Sequence, residues 1–257
     1  MSTLFACLKR DISLGKPYAF FGCLSVSWVF ITEYNGTKAM APHSGPSTDC
    51  ISLLSLAFSG IPPITPDQQF ILPIGWTALM LALSLPACLF PARDLRRPLH
   101  AQILTRTSRG VWWLSKLIWS ALSWSASFVA LCGVVAAISV TSDPDAAAVL
   151  ASYENSRIAL VLYAALTSLC ICLAACVCSL AFGSSAAACA TAGFLVASSY
   201  CSHPILVANF AMIKRTAMGA VAIPPLPAFV ALSLGILATI SCLGLLSYRK
   251  TDVLTRR

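Results

Sequence analysis

The sequence predicts an all-α integral membrane protein with six transmembrane helices, and three observations support this fold class. Hydrophobic residues make up 58% of the chain, charged residues only 10%, and the mean hydropathy is +0.82. Apolar runs of roughly 20 residues, the length that crosses a bilayer, recur along the chain. Lys and Arg cluster beside these runs, as membrane topology requires. We expect one membrane domain over residues 1–257, with no room for a second globular domain.

The first predicted span is preceded by a charged, amphipathic stretch. Leu4, Leu8 and Ile12 are four residues apart, which predicts a short helix over residues 3–16 that lies in the membrane interface and enters the span at an angle. The six predicted spans cover residues 18–34, 70–90, 117–140, 158–182, 186–201 and 226–247.

A cleaved secretory signal is the alternative interpretation of the first span. A basic start, a short apolar run and Ala39-Met40-Ala41 make an imperfect cleavage pattern. The basic region is long and amphipathic, however, and Glu33 and Lys38 interrupt the stretch before the site. We therefore expect the span to be retained.

Two connections on the predicted outer side contain apolar stretches. Ile51–Phe58 predicts a short helix packed on the outer rim. Residues 202–226 are apolar but are broken by prolines and by two cations, which predicts a short outer helix or a re-entrant hairpin shielded by protein. Cys50 and Cys201 fall on this side, and the spacing leaves open whether they form a disulfide.

The most basic part of the chain, residues 91–116, follows the second span. Its charged residues are Arg93, Asp94, Arg96, Arg97, Arg106, Arg109 and Lys116. Leu99, Ile103 and Leu104 add a short amphipathic stripe, while Trp112 and Trp113 predict an interfacial belt that opens the third span. Binding of anionic headgroups explains the charge, and docking on a cytoplasmic partner would also explain the stripe. Both interpretations stay open.

The distribution of cations predicts the orientation of the chain. The thirteen predicted on the inner side are Lys9, Arg10, Lys16, Arg93, Arg96, Arg97, Arg106, Arg109, Lys116, Arg249, Lys250, Arg256 and Arg257. The four predicted outside are Lys38, Arg157, Lys214 and Arg215. The positive-inside rule then places both termini in the cytoplasm. This also accounts for the net charge of +8 without nucleic acid.

Several chemistries lack the residues they need. No phosphate-cradling Gly-x-x-x-x-Gly-Lys-Ser/Thr sequence occurs, so ATP would have to bind another polypeptide. No predicted span carries a charge at its middle, which disfavours proton- or sodium-coupled transport and intramembrane hydrolysis. Of the cysteines at 170, 172, 176 and 178, only Cys172 and Cys176 share a helix face, which favours packing over metal binding.

Small residues repeat every four positions at the start of the fifth span. Gly183, Ala187 and Thr191 form one such stripe, the pattern that lets membrane helices approach closely. The stripe predicts either packing within the subunit or a subunit interface, and the sequence does not separate the two.

Three strings carry a resemblance to a known family. They are Leu72-Pro73-Ile74-Gly75-Trp76, Gln102-Ile103-Leu104-Thr105-Arg106-Thr107-Ser108-Arg109 and Trp112-Trp113-Leu114-Ser115-Lys116, with Asp94-Leu95 between the first two. Together with the layout of the whole chain, they resemble the membrane subunits of bacterial ATP-binding-cassette type 2 exporters.

The resemblance implies roles for particular segments. Residues 94–109 would be a cytoplasmic coupling helix seated on a separate ATPase, and residues 202–226 would form the outer gate. The coupling residues would be Asp94, Arg96, Arg97, Gln102, Arg106 and Arg109. Two permease subunits, identical or related, would form the transporter in the bacterial cell membrane. This chain would bind no cofactor and would not be an enzyme, since ATP and Mg²⁺ belong to the partner.

Few polar groups occur in the second and fifth predicted spans, which line the path in that family. We therefore expect an apolar or amphipathic cargo, such as a lipid, a peptide or a drug. A membrane scaffold or immunity-type binding protein that transports nothing is the alternative function. An intramembrane enzyme is a third class, for which no catalytic set is visible.

Overall fold

The computed structural model describes residues 3–40, 49–62, 72–95, 108–142, 155–201, 203, 206–217 and 225–250, and its helices follow the apolar runs. Within these ranges the chain is helical and contains no strand, which confirms the all-α class for this part of the protein. The helices are α1 (Thr3–Met40), α2 (Cys50–Ala57), α3 (Ile74–Leu95), α4 (Arg109–Ser142), α5 (Asn155–Phe182), α6 (Ser184–Tyr200), α7 (Ile213–Ala217) and α8 (Leu226–Lys250). A 3₁₀ turn, Val207–Ala211, precedes α7.

Among the described residues, four helices are long and apolar enough to cross a membrane, and they overlap the first four predicted spans. They are α1, α3, α4 and residues 158–182 of α5. These helices indicate a membrane protein. The 17 residues of α6 rise only about 25 Å, and within the side chains of α8 that the structure describes, the apolar stretch Pro227–Thr239 is shorter still. The six-span arrangement is therefore not confirmed.

The separate interfacial helix predicted over residues 3–16 is wrong. This stretch and the first span form one 38-residue helix, α1, which continues through Pro17 to Met40. The predicted stripe of Leu4, Leu8 and Ile12 is not the buried face. Cys7, Asp11 and Gly15 are buried instead, so the first turns of α1 pack against other helices.

Two further boundaries differ from the prediction. The second span was expected over residues 70–90, but α3 begins at Ile74 and continues through Pro86 and Pro91 to Leu95. The third was expected over residues 117–140, but α4 already begins at Arg109. In both helices, the basic residues beside the apolar run form further helical turns. Hydropathy alone assigns these residues to connections.

The centre of the bundle is formed by α3 and α5. In each, 61% of the most apolar stretch is buried inside the protein, against 22% in α1 and α4. Buried side chains of α1, α2, α3, α4 and α5 join in one apolar core that also includes Ala211, Met212 and Ile213. In the peripheral pair, α1 and α4, most residues of the apolar stretch are not buried within the chain.

Trp112 and Trp113 do not form the predicted interfacial belt. Both are buried, in a cluster with Leu117, Cys172 and Cys176. Their large indole rings fill the space between α4 and α5 at this end of the bundle. The two cysteines serve in the same packing.

The two connections that were predicted on the outer side form short helices where the structure describes them. Asp49 caps α2 by accepting a hydrogen bond from the Ser52 amide at 2.9 Å. The backbone amides of Ile213 and Lys214 donate to the carbonyls of Phe58 and Ser59, at 2.9 and 3.1 Å. These bonds join the segment after α2 to the start of α7.

This joined segment also covers the first turn of α3. The indole nitrogen of Trp76 donates to the Ala211 carbonyl at 3.1 Å. Gly60 adopts φ +60°, and a side chain at this position would overlap Met212. The segment comprising the 3₁₀ turn and α7 is thus packed on the end of the bundle where α3 begins.

Candidate functional site: a buried ion cluster between three helices

Four charged side chains meet at the opposite end of the bundle, where α3 ends. Arg10 and Asp11 come from α1, Asp94 from the last turn of α3, and Lys116 from the third turn of α4. We call these four residues the ion cluster. It ties together three helices that are distant in sequence.

Lys116 lies between the two carboxylates. Its Nζ is 2.6 Å from Oδ1 of Asp11 and 2.6 Å from Oδ2 of Asp94. Arg10 pairs with the other oxygen of Asp94 and lies 3.4 Å from Oδ1 of Asp11. Ser115 donates from Oγ to Oδ2 of Asp11 at 2.8 Å. The formal charges sum to zero.

The cluster is removed from solvent. The side chains of Asp11, Asp94 and Lys116 are all 0% exposed, and that of Arg10 is 21% exposed. Burying such charges costs several kcal/mol per ion, which mutual attraction offsets only when every charge has a partner. Removing a single partner should therefore cost about 3–5 kcal/mol, because it leaves an uncompensated buried charge.

Aromatic rings enclose the cluster. The Lys116 ammonium lies 4.7 Å from the ring centroid of Phe90 and 5.1 Å from that of Trp112. Phe90 packs in turn against Trp119, with the rings tilted by 41° and their centroids 4.2 Å apart. Gly15 of α1 permits this packing, because a Cβ there would overlap the Trp119 ring. Apolar walls strengthen the ion pairs by excluding water.

The predicted coupling residues lie in or beside this site as far as the structure describes them. Asp94 belongs to the ion cluster, and Arg109 is exposed at the first residue of α4. The other four predicted coupling residues lie outside the described residues: Arg96, Arg97, Gln102 and Arg106. The role of all six in coupling stays a prediction.

The small-residue stripe of α6 is occupied by packing within the chain. Ala187 and Thr191 are buried, and Ala187 lies in an apolar cluster with Cys88 of α3 and Ala175 of α5. Packing inside the subunit, one of the two alternatives from the sequence, is thus what the structure shows. A subunit interface at Gly183, Ala187 and Thr191 stays a prediction, and direct contact through Ala187 would require α6 to separate from α3.

A second buried cation lies at the other end of the bundle. The guanidinium of Arg215, 0% exposed, donates to the carbonyls of Ser198, Ser199 and Cys201 and to Oδ1 of Asn209. The Asn209 amide donates to the carbonyls of Cys201 and His203, at 2.8 and 2.9 Å. We call this arrangement the Arg215 cap.

The Arg215 cap completes the C-terminus of α6. The last carbonyls of a helix lack intrahelical donors and carry partial negative charge, so a cation is favourable there. Burial lowers the pKa of Arg215 from its ordinary value, but guanidinium starts so high that it remains protonated at neutral pH. Cys50 and Cys201, which were considered as a disulfide, are both free thiols.

The sequence reasoning missed Asp11, Lys116 and Arg215 as buried groups. The spacing in α1 contained a signal that Asp11 is buried. Asp11 lies four residues from both Cys7 and Gly15, on the side of the helix opposite Lys9 and Lys16. Lys116 and Arg215 were counted only as topological charges. Their partners lie on other helices, which periodicity within one helix does not identify.

Comparison with protein-family models, with curated proteins and with solved structures finds no match for this chain. The function is therefore inferred from the ion cluster, the helices that it joins and the sequence beside it.

Proposed function

We propose that this chain is the permease subunit of an ATP-binding-cassette type 2 exporter, driven by ATP that a separate subunit hydrolyses. The ion cluster is the observation that carries the proposal. Asp94 lies in the last turn of α3 and Lys116 in the third turn of α4, so their ion pair closes the base of the connection between these helices. A partner that moves this connection would move α3 and α4 as a unit.

The cluster extends the same linkage to α1. Lys116 pairs with Asp11 as well as with Asp94, and Arg10 pairs with both acids. Rigid side-chain contacts between helices are a means of transmitting motion from a cytoplasmic partner into a membrane bundle. The proposed coupling helix, residues 94–109, would thereby act on three of the four long apolar helices.

The orientation and the number of spans belong to the proposal. Thirteen cations against four favour both termini in the cytoplasm of a bacterial cell. This orientation requires an even number of crossings, so α6 and α8 would supply the fifth and sixth. The packed segment that contains Arg215 would then lie at the outer end, as part of the gate.

The proposed cargo is apolar or amphipathic. The helices that would line the path, α3 and α6, are rich in apolar side chains, and their buried hydroxyls bond mainly to backbone, as Thr191 does to the Ala187 carbonyl at 2.8 Å. A charged cargo would need polar partners in the bundle. A second permease subunit, identical or related, would complete the path.

Co-purification with candidate ATPase subunits from the same source tests the proposal. The protein is purified in mild detergent after co-expression, and co-elution and stimulated ATP hydrolysis are measured. Arg106→Glu and Arg109→Glu should release the ATPase by reversing charge on the docking segment. Lys38→Glu, at the other end of α1, is the matched control and should leave binding unchanged.

A charge-balanced variant separates docking from transmission. Asp94→Asn combined with Lys116→Met removes the link between α3 and α4 without a net change in charge. We expect the ATPase still to co-elute, with its stimulation by the permease lost. If no candidate ATPase binds a folded, monodisperse protein, the exporter proposal is wrong and the scaffold or immunity-type function takes its place.

A further inference from the structure

One face of α1 combines exposed lysines with exposed apolar side chains. Lys9 and Lys16 are seven residues apart and thus on the same side of the helix, and both are exposed. Phe5, Ile12 and Phe20 share this side, with 52%, 41% and 66% of their surfaces exposed. We call these five residues the lysine face of α1.

The depth of the lysine face follows from the next sixteen residues. Residues 17–32 contain no Asp, Glu, Lys or Arg and rise about 24 Å as a helix, close to the thickness of a bilayer core. Lys16 therefore lies at the edge of the hydrocarbon. Lys9, about 10 Å further along the helix, lies at the headgroup layer or just beyond it.

The charges of the lysine face are not neutralised within the described part of the protein. Asp11 lies between the two lysines in sequence, but its side chain points into the bundle and pairs there with Lys116. Asp94, the other acid described at this end, is buried in the same cluster. Because both acids are buried in the ion cluster, the charge that α1 exposes at this end is positive.

We propose that the lysine face binds anionic phospholipid headgroups. The ammonium groups of Lys9 and Lys16 pair with lipid phosphates, while Phe20 lies along the acyl chains and Ile12 in the glycerol region. A nucleic acid or an acidic protein segment would not match large apolar side chains on the same helix face as the cations, with Ile12 between Lys9 and Lys16. A helix that continues directly into a membrane-length apolar run matches lipid.

Lipid retention by the full chain in detergent tests this site. The purified protein is titrated with phosphatidylglycerol or phosphatidylcholine, and bound lipid is counted by native mass spectrometry. Wild type should retain phosphatidylglycerol preferentially. Lys9→Gln with Lys16→Gln should weaken this retention about 25-fold, since each lysine near an anionic headgroup contributes about fivefold.

Three controls define what would overturn the proposal. Lys38→Gln, which changes an exposed lysine at the other end of α1, should leave lipid retention unchanged, and Lys9→Arg with Lys16→Arg should retain the lipid.

Excess inorganic phosphate should not displace phosphatidylglycerol. If it does, the site binds free anions and the lipid proposal is wrong. Equal retention of both lipids by wild type, or equal losses in the Lys38 variant and the double glutamine variant, would also refute it. If the double variant does not fold, the wild-type lipid preference and the single Lys16→Gln variant decide the outcome.

Discussion

A buried cation lies near each end of α3, and the two cations are stabilised in different ways. At one end, Lys116 pairs with carboxylates from two other helices. At the other, the acceptors of Arg215 among the described residues are neutral oxygens, from the end of α6 and from Asn209. The first arrangement joins distant parts of the chain through formal charges. The second completes one helix terminus, with acceptors that lie within 17 residues of the arginine.

This difference determines how much stability the protein loses when each cation is removed. Without Lys116, two buried carboxylates would share the single partner Arg10. Without Arg215, several carbonyls would lose a donor, but no buried charge would remain. A buried unpaired charge costs more than an unsatisfied carbonyl, so the ion cluster should be the more sensitive end.

The largest effect should come from Lys116→Met. We expect the free energy of unfolding to fall by about 3–5 kcal/mol, because Asp11 and Asp94 lose their shared partner. Reversible unfolding in mixed micelles measures the change. Lys38→Met, at an exposed site, should stay within about 0.5 kcal/mol of wild type. A loss below about 1 kcal/mol at Lys116 would show that the cluster is not the stabilising link described here.

Arg215→Met should have the second largest effect. Each buried carbonyl left without a donor costs about 1–3 kcal/mol, and relaxation of Cys201 and Asn209 toward solvent should recover part of the total. We expect a loss of about 2–3 kcal/mol by the same unfolding measurement. Lys38→Met, the exposed site used above, is again the control. If Arg215→Met costs more than Lys116→Met, the comparison between the two ends is wrong.

A double-mutant cycle sharpens the comparison. Asp94→Asn and Lys116→Met should be less destabilising together than the sum of the single changes, by about 1–3 kcal/mol, because the second change removes a charge that the first left unpaired. The corresponding pair at the other end, Asn209→Ala with Arg215→Met, should deviate from additivity by less. Similar deviations at both ends would contradict the distinction between charge pairing and helix capping.

The smallest effect should come from Ser115→Ala. This change removes the hydroxyl that donates to Asp11 at 2.8 Å, at a cost of about 1 kcal/mol. Ser125→Ala is its control on the same helix, since the Ser125 hydroxyl is exposed and bonds only to the carbonyl of Ala121. Thermal unfolding of the two variants in the same detergent should separate them by a few degrees. Identical midpoints would show that Ser115 does not support the cluster.

Hydropathy and turn chemistry predicted much of the fold. The four long apolar helices and the short helix α2 fall where the sequence places them, because these features depend on neighbouring residues. The boundaries of α1 and α4 were missed because polar residues extend both helices beyond their apolar runs. Those polar residues, Asp11 and Lys116, are stabilised by partners on other helices.

The candidate site was less accessible to sequence reasoning. Asp94 was singled out, but for a contact with another protein, whereas its carboxylate pairs with Arg10 and Lys116. Asp11 and Lys116 are separated by 105 positions, and nothing in either helix alone indicates that they meet. Tertiary packing brought them together, and local periodicity carries no information about such pairs.

The backbone hydrogen bonds between residues 58–59 and 213–214 can form only late in the synthesis of the chain. The ion cluster has all of its members once Lys116 has left the ribosome, because they lie within the first half of the chain. The carbonyls of Phe58 and Ser59 must wait for Ile213 and Lys214, which are synthesised much later. Since chains emerge from the N-terminus, one end of the bundle can close while the other still lacks its cover. A nascent chain halted before residue 213 therefore carries a complete ion cluster beneath an unfinished opposite end.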